Sequence, residues 1–260
     1  MLCRGALHYF LDPLKWRLPR GALVLEVGSG QKPMWRGDVQ VDRHLEDDTH
    51  RPGRLFVARG LICGDVADLP FEDDAFDFVY CAHLLEHTLD PVQAVHELGR
   101  VGRAGVFSAP SYAWERKADC PVHRWIVRVR EGALEFSPKP ADVSTIECNS
   151  ADDEVVYYWR GRPRARRLDG DRPVGGAGPA DPPASLVRQL GRRAMVRAGL
   201  LLHTMLSANA RVDKYTLLRC LRCHAQLQRT GQSLECTCCT ASYEIRDGTP
   251  IMLEQDAPKT

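Results

Sequence analysis

The chain has no uninterrupted apolar run long enough to span a bilayer, which excludes a membrane-spanning helix. It has almost no net charge, +1 over 260 residues, so nothing pulls the whole molecule toward nucleic acid or a lipid surface. Its N-terminus, Met1-Leu2-Cys3-Arg4-Gly5, lacks a basic start followed by an apolar core and a cleavage site, so no secretory leader is expected. Its ten cysteines do not form a spread disulfide framework. Half of them crowd between Cys220 and Cys239. In a chain expected to be cytoplasmic, such crowding reads as metal binding. The remainder is ordinary. Apolar residues make up 44% and charged residues 27%, which suits one large or two modest globular domains.

The chain is organised around residues 22–30, A-L-V-L-E-V-G-S-G. Leu23, Val24 and Leu25 do not alternate with polar residues, as expected of a strand buried on both faces of a parallel sheet. Gly28-Ser29-Gly30 follows at once. Glycines there permit a tight turn and a close approach of backbone to a ligand. Ligands in open α/β sheets bind beyond the carboxyl ends of the strands, so this turn is a candidate cofactor site. Lys32 and Pro33 stand where a dinucleotide fingerprint would need more glycine and a helix start, which favours a ligand without phosphates. Three more strands are expected. Val39–Asp42 and Leu61–Asp65 both end in acids, and Phe76–Cys81 follows. A carboxylate at the end of the second strand can accept two hydrogen bonds from a ribose diol.

Taken in order, Glu26-Val27-Gly28-Ser29-Gly30, Asp42, Gly64 through Phe71, and Phe76-Asp77 through His87 resemble class I S-adenosylmethionine-dependent methyltransferases over roughly residues 20–112. The resemblance implies an α/β, doubly wound Rossmann-like, mostly parallel sheet. It implies that Gly28, Ser29 and Gly30 pass under the methionine part of S-adenosyl-L-methionine, with Glu26 near its amino group. It implies that Asp42 holds the ribose and that Asp65, with the Val66 backbone, meets the adenine; Cys81 joins this cofactor set. Only about ten residues separate the first two strands, so the first helix is expected to be very short or missing.

Past the fourth strand comes Cys81-Ala82-His83-Leu84-Leu85-Glu86-His87, then Asp90 as a helix N-cap and Pro91 at the first helical position. H-x-x-E-H is also a zinc-protease pattern, but that reading needs a sustained helix. Here a strand precedes it and a cap and proline end it. Three readings stand. Glu86 and His87 shape the loop; or a histidine, His83 or His87, takes a proton from a substrate hydroxyl; or, by resemblance to ubiquinone-pathway O-methyltransferases, the segment holds a divalent ion, although His83 replaces that group's first acid. His123, in Asp119–Trp125, is a further candidate base. Ala104–Pro110 reads as a fifth strand, and Val143–Cys148 with Glu154–Trp159 as a pair of strands.

Residues 161–184 hold five prolines and Gly175-Gly176 with almost nothing apolar, so a flexible linker is expected. A helix follows from Ser185 to about Asn209. From residue 185 to 222 there are eight Arg or Lys against Asp213 alone, a net +7. That can be an RNA or anionic-glycan surface, or simply a solvated basic face. Attachment to a membrane surface is a further use of such a helix.

Cys220-x-x-Cys223, twelve residues, then Cys236-x-x-Cys239 matches two zinc knuckles. Four thiolates at that spacing suit one tetrahedral, structural Zn2+. Cys238 competes for the second knuckle, but the C-x-x-C pairing favours Cys239. Residues 217–253 also resemble the zinc-ribbon proteins that activate tRNA, rRNA and release-factor methyltransferases. The shared residues include Leu227, Leu234, Tyr243, Asp247-Gly248, Pro250 and Ile251-Met252-Leu253; Leu221, Thr240 and Glu244 depart from that pattern. The ribbon is expected to pack on the catalytic domain through a strand edge or apolar face. The expected organisation is a methyltransferase domain (1–160), linker (161–184), basic helix (185–215) and zinc ribbon (216–260). The expected activity is O-methylation of a small-molecule or glycan substrate. The alternatives are an RNA methyltransferase and an inactive binding module.

Overall fold

A computed structural model describes residues 14–47, 54–57, 60–145, 154–168, 186–209 and 211–253. The strands are β1 (Val24–Val27), β2 (Val39–Asp42), β3 (Leu61–Gly64), β4 (Phe78–Ala82), β5 (Ala104–Pro110), β6 (Trp125–Arg130), β7 (Ala133–Pro138), β8 (Glu154–Arg160), β9 (Ala165–Arg167), β10 (Leu227–Thr230), β11 (Ser233–Cys236), β12 (Ser242–Arg246) and β13 (Thr249–Met252). The helices are α1 (Pro91–Val101), α2 (Tyr112–Ala118), α3 (Leu186–Leu206) and the single turn α4 (Lys214–Leu217).

Every residue of β1, β2 and β3 is buried. Strands covered on both faces need no alternation; β3, Leu61-Ile62-Cys63-Gly64, shows none, whereas β2, Val39-Gln40-Val41-Asp42, alternates and buries Gln40 and Asp42 as well. β1 lies at the centre, parallel to β2 with Leu25 opposite Val39, and parallel to β4 with Leu25 opposite Val79. β3 joins β2 and β5 joins β4, both in parallel. β8 closes that edge antiparallel to β5, with Phe107 opposite Tyr157. The order β3-β2-β1-β4-β5-β8 is that of a doubly wound, Rossmann-like α/β sheet.

No helix lies between β1 and β2. Arg36, 5% exposed, takes over the work of filling that crossover. Its guanidinium donates to the carbonyls of Pro19 and Ala22 at 3.1 and 2.9 Å and to Asp38 Oδ2 at 3.0 Å. Asp38 Oδ2 also accepts from the amide of Val24 at 2.8 Å. α3 docks on the same group: His203 Nε2 stands 3.3 Å from Asp38 Oδ1, and Ser207 Oγ donates to that oxygen at 2.8 Å. Arg20 donates to the carbonyls of Met205 and Leu206 at the end of α3, where a cation suits the helix dipole.

The cysteine-rich segment continues the main sheet. β10 to β13 form an antiparallel ladder, and β13 pairs in parallel with β3, Ile251 opposite Cys63 and Met252 opposite Gly64. The result is a ten-stranded sheet. One apolar cluster runs from Leu25 and Ile62 through Leu218, Leu234, Tyr243 and Ile245 to Met252. Lys214, buried beneath this junction, donates to the carbonyl of Leu61 at 2.8 Å.

Two sequence expectations change. Val143–Thr145 is a 3-10 turn, not a strand, and the partner of β8 is β5. The apolar, β-branched sequence of β8 suits any open sheet edge; β5 offers seven positions to pair. Residues 161–168 of the expected linker are ordered, because β9 pairs in parallel with β7, in the small sheet β6-β7-β9. The rest of that stretch, 169–184, lies outside the described residues, as do residues 1–13.

Candidate functional site

The carboxyl ends of β1, β2 and β4 meet at one edge of the sheet. Gly28 and Gly30 have φ of +78° and +53°, the left-handed region that side chains resist. The amide of Gly28 donates to the carbonyl of Val41 at 2.8 Å. A Cβ on Gly28 would stand 3.2 Å from Leu84 Cβ, so this turn and the loop after β4 are in contact. The amide of Gly30 donates to Asp42 Oδ2 at 2.9 Å, and the amide of His44 donates to Asp42 Oδ1 at 3.0 Å. Ser29 Oγ and Gln31 Oε1 are buried with no hydrogen-bond partner among the described residues. Buried polar atoms are nearly always satisfied, so such a pair beside a glycine turn marks a place built for another molecule.

Glu26 ends β1, 3% exposed, and accepts the amide of Met34 on both oxygens at 2.8 and 2.9 Å. Burial pushes its carboxyl up to about 8 against the pull of the Met34 amide, and the charge of Asp42 adds to the rise. A carboxyl so placed gains when a cation arrives. Asp65, just past β3, pairs with Arg43 and accepts the amide of Ala67 at 2.9 Å; Val66 is buried beside it. Cys81 faces the apolar core, and burial, then the charges of Glu86 and Glu26, push its thiol up. The structure thus brings Glu26, Gly28, Ser29, Gly30 and Asp42 together at one edge. It leaves Asp65 engaged with Arg43, and Cys81 packed in the core.

The three candidate histidines divide. His83 has φ of +52°, a strained setting for a side-chain residue, with its amide held by the carbonyl of Ser108 at 2.9 Å. Its Nε2 lies 3.5 Å from Glu154 and its Nδ1 3.7 Å from Glu86. Partial burial opposes its charged form, but these two carboxylates outweigh it and raise the imidazole to about 10. A base must be neutral before it can act, and both carboxylates favour the charged form of His83 instead. His87 and His123 meet edge to face at 4.6 Å between ring centres, with Glu86 beside them, its side chain 1% exposed. His123 Nδ1 contacts Glu115, whose other oxygen lies 3.0 Å from Lys139 Nζ. Sequence spacing names Glu86 as a neighbour of His87 and gives no sign of Glu115, Lys139, Arg43 or Glu154. Those four reach the site from separate elements.

At the other end of the sheet, Cys220, Cys223, Cys236 and Cys239 form one cluster. Cys220 and Cys239 sulfurs are 3.7 Å apart, Cys223 and Cys236 3.4 Å, Cys223 and Cys239 3.6 Å. Zinc–thiolate bonds of about 2.3 Å in a tetrahedron put sulfurs about 3.8 Å apart, so the donor set and spacing fit that ion. Amides of Cys239 and Cys238 point at Cys236 Sγ and bring its thiol down to about 6. Cys238 is exposed and outside the cluster.

The fold defines the chain as a Rossmann-like α/β protein with its open edge at the glycine turn. Residues 42–108 match the family model described as a methyltransferase domain, a span that runs from Asp42 at the end of β2 through β3 and β4 into β5. Among solved structures, similarity extends to the YcgJ protein of Bacillus subtilis (19% identity, 44% of this chain and 59% of that one, TM-score 0.34). It extends also to a SAM-dependent methyltransferase of Methanosarcina mazei (18%, 39% and 58%, 0.31) and the PH0226 protein of Pyrococcus horikoshii (16%, 61% and 91%, 0.39). The chain spans about half to three-fifths of the length of the first structures it matches. No curated protein matches it significantly. Among the described residues no helix is long and apolar enough to cross a membrane.

Proposed function

We propose that this protein transfers a methyl group from S-adenosyl-L-methionine to an oxygen of a small-molecule or glycan substrate. The observation that carries the reading is the methyltransferase-domain match over residues 42–108, which begins at Asp42 and takes in β3 and β4; the Gly28–Gly30 turn lies just before it. The Gly28–Gly30 turn would cradle the methionine part, with Glu26 facing its ammonium and Asp42 the ribose diol. Asp65 and Val66 would border the adenine, with Arg43 moving aside. The acceptor oxygen forms a bond to the methyl carbon as the carbon–sulfur bond breaks; the sulfonium becomes the neutral thioether of S-adenosylhomocysteine. The hydroxyl proton leaves to a base or solvent. Holding the two reactants in line supplies much of the rate. Oxygen is preferred as acceptor because the β4 end reads Cys81-Ala82-His83-Leu84. The Asn/Asp-Pro-Pro-Tyr motif that the family resemblance associates with nitrogen acceptors is missing there.

The four cysteines would hold a structural zinc, and β13 ties that segment to β3, next to the cofactor edge. A second reading, methylation of RNA, draws on α3, whose sequence has no acidic residue and which exposes Arg193 and Arg197. The deciding experiment titrates S-adenosylmethionine and S-adenosylhomocysteine into zinc-loaded protein by calorimetry, with Asp42→Ala beside it. Micromolar binding lost in the variant supports the enzyme. Absence of binding to folded protein leaves an interaction module on a methyltransferase-like fold. Salt-dependent RNA binding lost in Arg193→Ala/Arg197→Ala would favour the second reading.

A further inference from the structure

We propose that the methyl acceptor carries an anionic group, a carboxylate or a phosphate, and that Arg128 grips it with Arg130 alongside. The inference rests on the methyl-transfer reading and narrows its substrate class.

β6 positions both arginines. Trp125 and Val127 belong to the main apolar cluster, while Ile126, Arg128 and Arg130 share the opposite face of the strand. Two hydrogen bonds hold the start of β6 against the turn after β4. The amide of Arg124 donates to the carbonyl of Glu86 at 2.8 Å, and Trp125 Nε1 donates to the carbonyl of Thr88 at 2.8 Å. Farther along, the guanidinium of Arg128 lies 4.7 Å from the centre of the Tyr112 ring. Tyr112 opens α2 just past the carboxyl end of β5. β4 and β5 are neighbours there, with Ala82 opposite Ser108. Arg128 thus stands at the same edge of the sheet as the glycine turn, on its β5 side.

The acids of this face are already committed. Glu135 lies opposite Arg128 across the β6–β7 ladder and opposite Arg166 across the β7–β9 ladder. Its carboxylate takes Arg166, whose Nε donates at 2.9 Å and whose guanidinium also stands 3.5 Å from Glu131. Arg128 and Arg130 have neither a carboxylate partner nor a side-chain hydrogen bond among the described residues. Arg130 is exposed, but Arg128 is half-buried. A half-buried guanidinium gives up hydration, and the face of one ring replaces only part of it. Its planar fork of N–H donors fits a carboxylate or phosphate through two parallel hydrogen bonds. Arg130, about 7 Å along the same face, adds a second positive charge toward that anion.

Arg229 supplies the contrast. It too lies 4.7 Å from the centre of a tyrosine ring, Tyr215, but in β10, at the far end of the ten-stranded sheet. It is exposed, and its Nε donates to the carbonyl of Gly231 at 3.4 Å.

The test titrates phenyl phosphate, with benzyl alcohol as its uncharged counterpart, into the zinc-loaded full chain. Nuclear magnetic resonance reads the arginine Nε–H and backbone amide signals. The expected result is a saturable shift at Arg128 and near Tyr112, with a Kd of about 1 mM that weakens as salt rises. Benzyl alcohol should leave Arg128 unmoved. Arg128→Gln should weaken binding roughly tenfold or more. Arg128→Lys should lose less, because the charge remains while the fork is gone. Arg130→Gln should weaken binding about threefold through the lost charge, and Arg229→Gln should not change it. If Arg128→Gln fails to fold, the exposed Arg130→Gln decides. No saturable shift at Arg128 would overturn the proposal, as would equal binding of benzyl alcohol or equal losses in the Arg128 and Arg229 variants. The titration needs no S-adenosylmethionine, so failure of the anion site and failure of the methyl-transfer reading are read apart.

Discussion

The amide of Gly30 donates to Asp42 Oδ2 at 2.9 Å, which makes the turn after β1 and the end of β2 one unit. A residue expected to meet a ligand is thus also a brace for the ligand's cradle. Asp42→Ala should lower stability by about 1–3 kcal/mol through the unpaired amides of Gly30 and His44. It should weaken S-adenosylmethionine binding roughly tenfold or more. Denaturation and calorimetry on the same sample separate the two effects. A variant equal to wild type in both would remove Asp42 from the site.

Gly28 has little room for a side chain. Gly28→Ala forces a methyl into the left-handed region and to 3.2 Å from Leu84. The expected cost is about 1–2 kcal/mol, with a larger loss in cofactor affinity than in stability. Gly231, also at positive φ but with open space around it, is the control: Gly231→Ala should cost stability alone.

On the proposed reading, Glu26 would tie cofactor binding to pH. Its carboxyl, raised to about 8, holds a proton in the folded protein that the unfolded chain releases near 4.5. From about pH 4.5 to 8 the folded state therefore binds more protons, and Glu26 makes stability fall as pH rises through that window. An ammonium group docked beside Glu26 reverses the preference. Binding at pH 7 should release up to about one proton, seen as a binding enthalpy that varies with the buffer's ionisation heat. Glu26→Gln should abolish that variation.

The β13–β3 pairing joins the cysteine cluster to the main sheet. Stripping metal with a chelator should then destabilise the whole chain, not the C-terminal segment alone. The midpoint should fall by about 10 °C or more in one cooperative transition. Two separated transitions, with the upper one unmoved, would show the segments to be uncoupled.

Asp38 holds Arg36, His203 and Ser207 at once with no exposed side-chain surface. Asp38→Ala leaves a buried guanidinium without its partner and should cost about 3–5 kcal/mol. α3 should loosen with it, read as faster amide exchange from 200 to 207. Asp38→Asn should restore part of the loss.

Local rules read from the chain cover much of the fold. Val24–Val27 and Leu61–Gly64 are short, mostly apolar runs without alternation, which suit strands buried on both faces, and Val39–Asp42 is a short β-branched run that ends in an acid. Asp90 accepts from the amides of Val92 and Gln93 as its position before Pro91 predicts. The four cysteines cluster because two C-x-x-C knuckles set their own geometry. These features depend on neighbours within a few residues, and sequence spacing carries that information.

Contacts between distant segments were decided only by the tertiary structure. β8 paired with β5 because an open edge accepts any strand of suitable length, and Val143–Cys148 had no stronger claim to it. β9 formed inside a stretch rich in proline because β7 had a free edge beside it. The continuation of the sheet through β13, the Asp38 knot under α3, and the meeting of His123 with Glu86 and His87 all join residues far apart in the chain. Burial, edge pairing and charge compensation act through space, so only the folded chain could decide them.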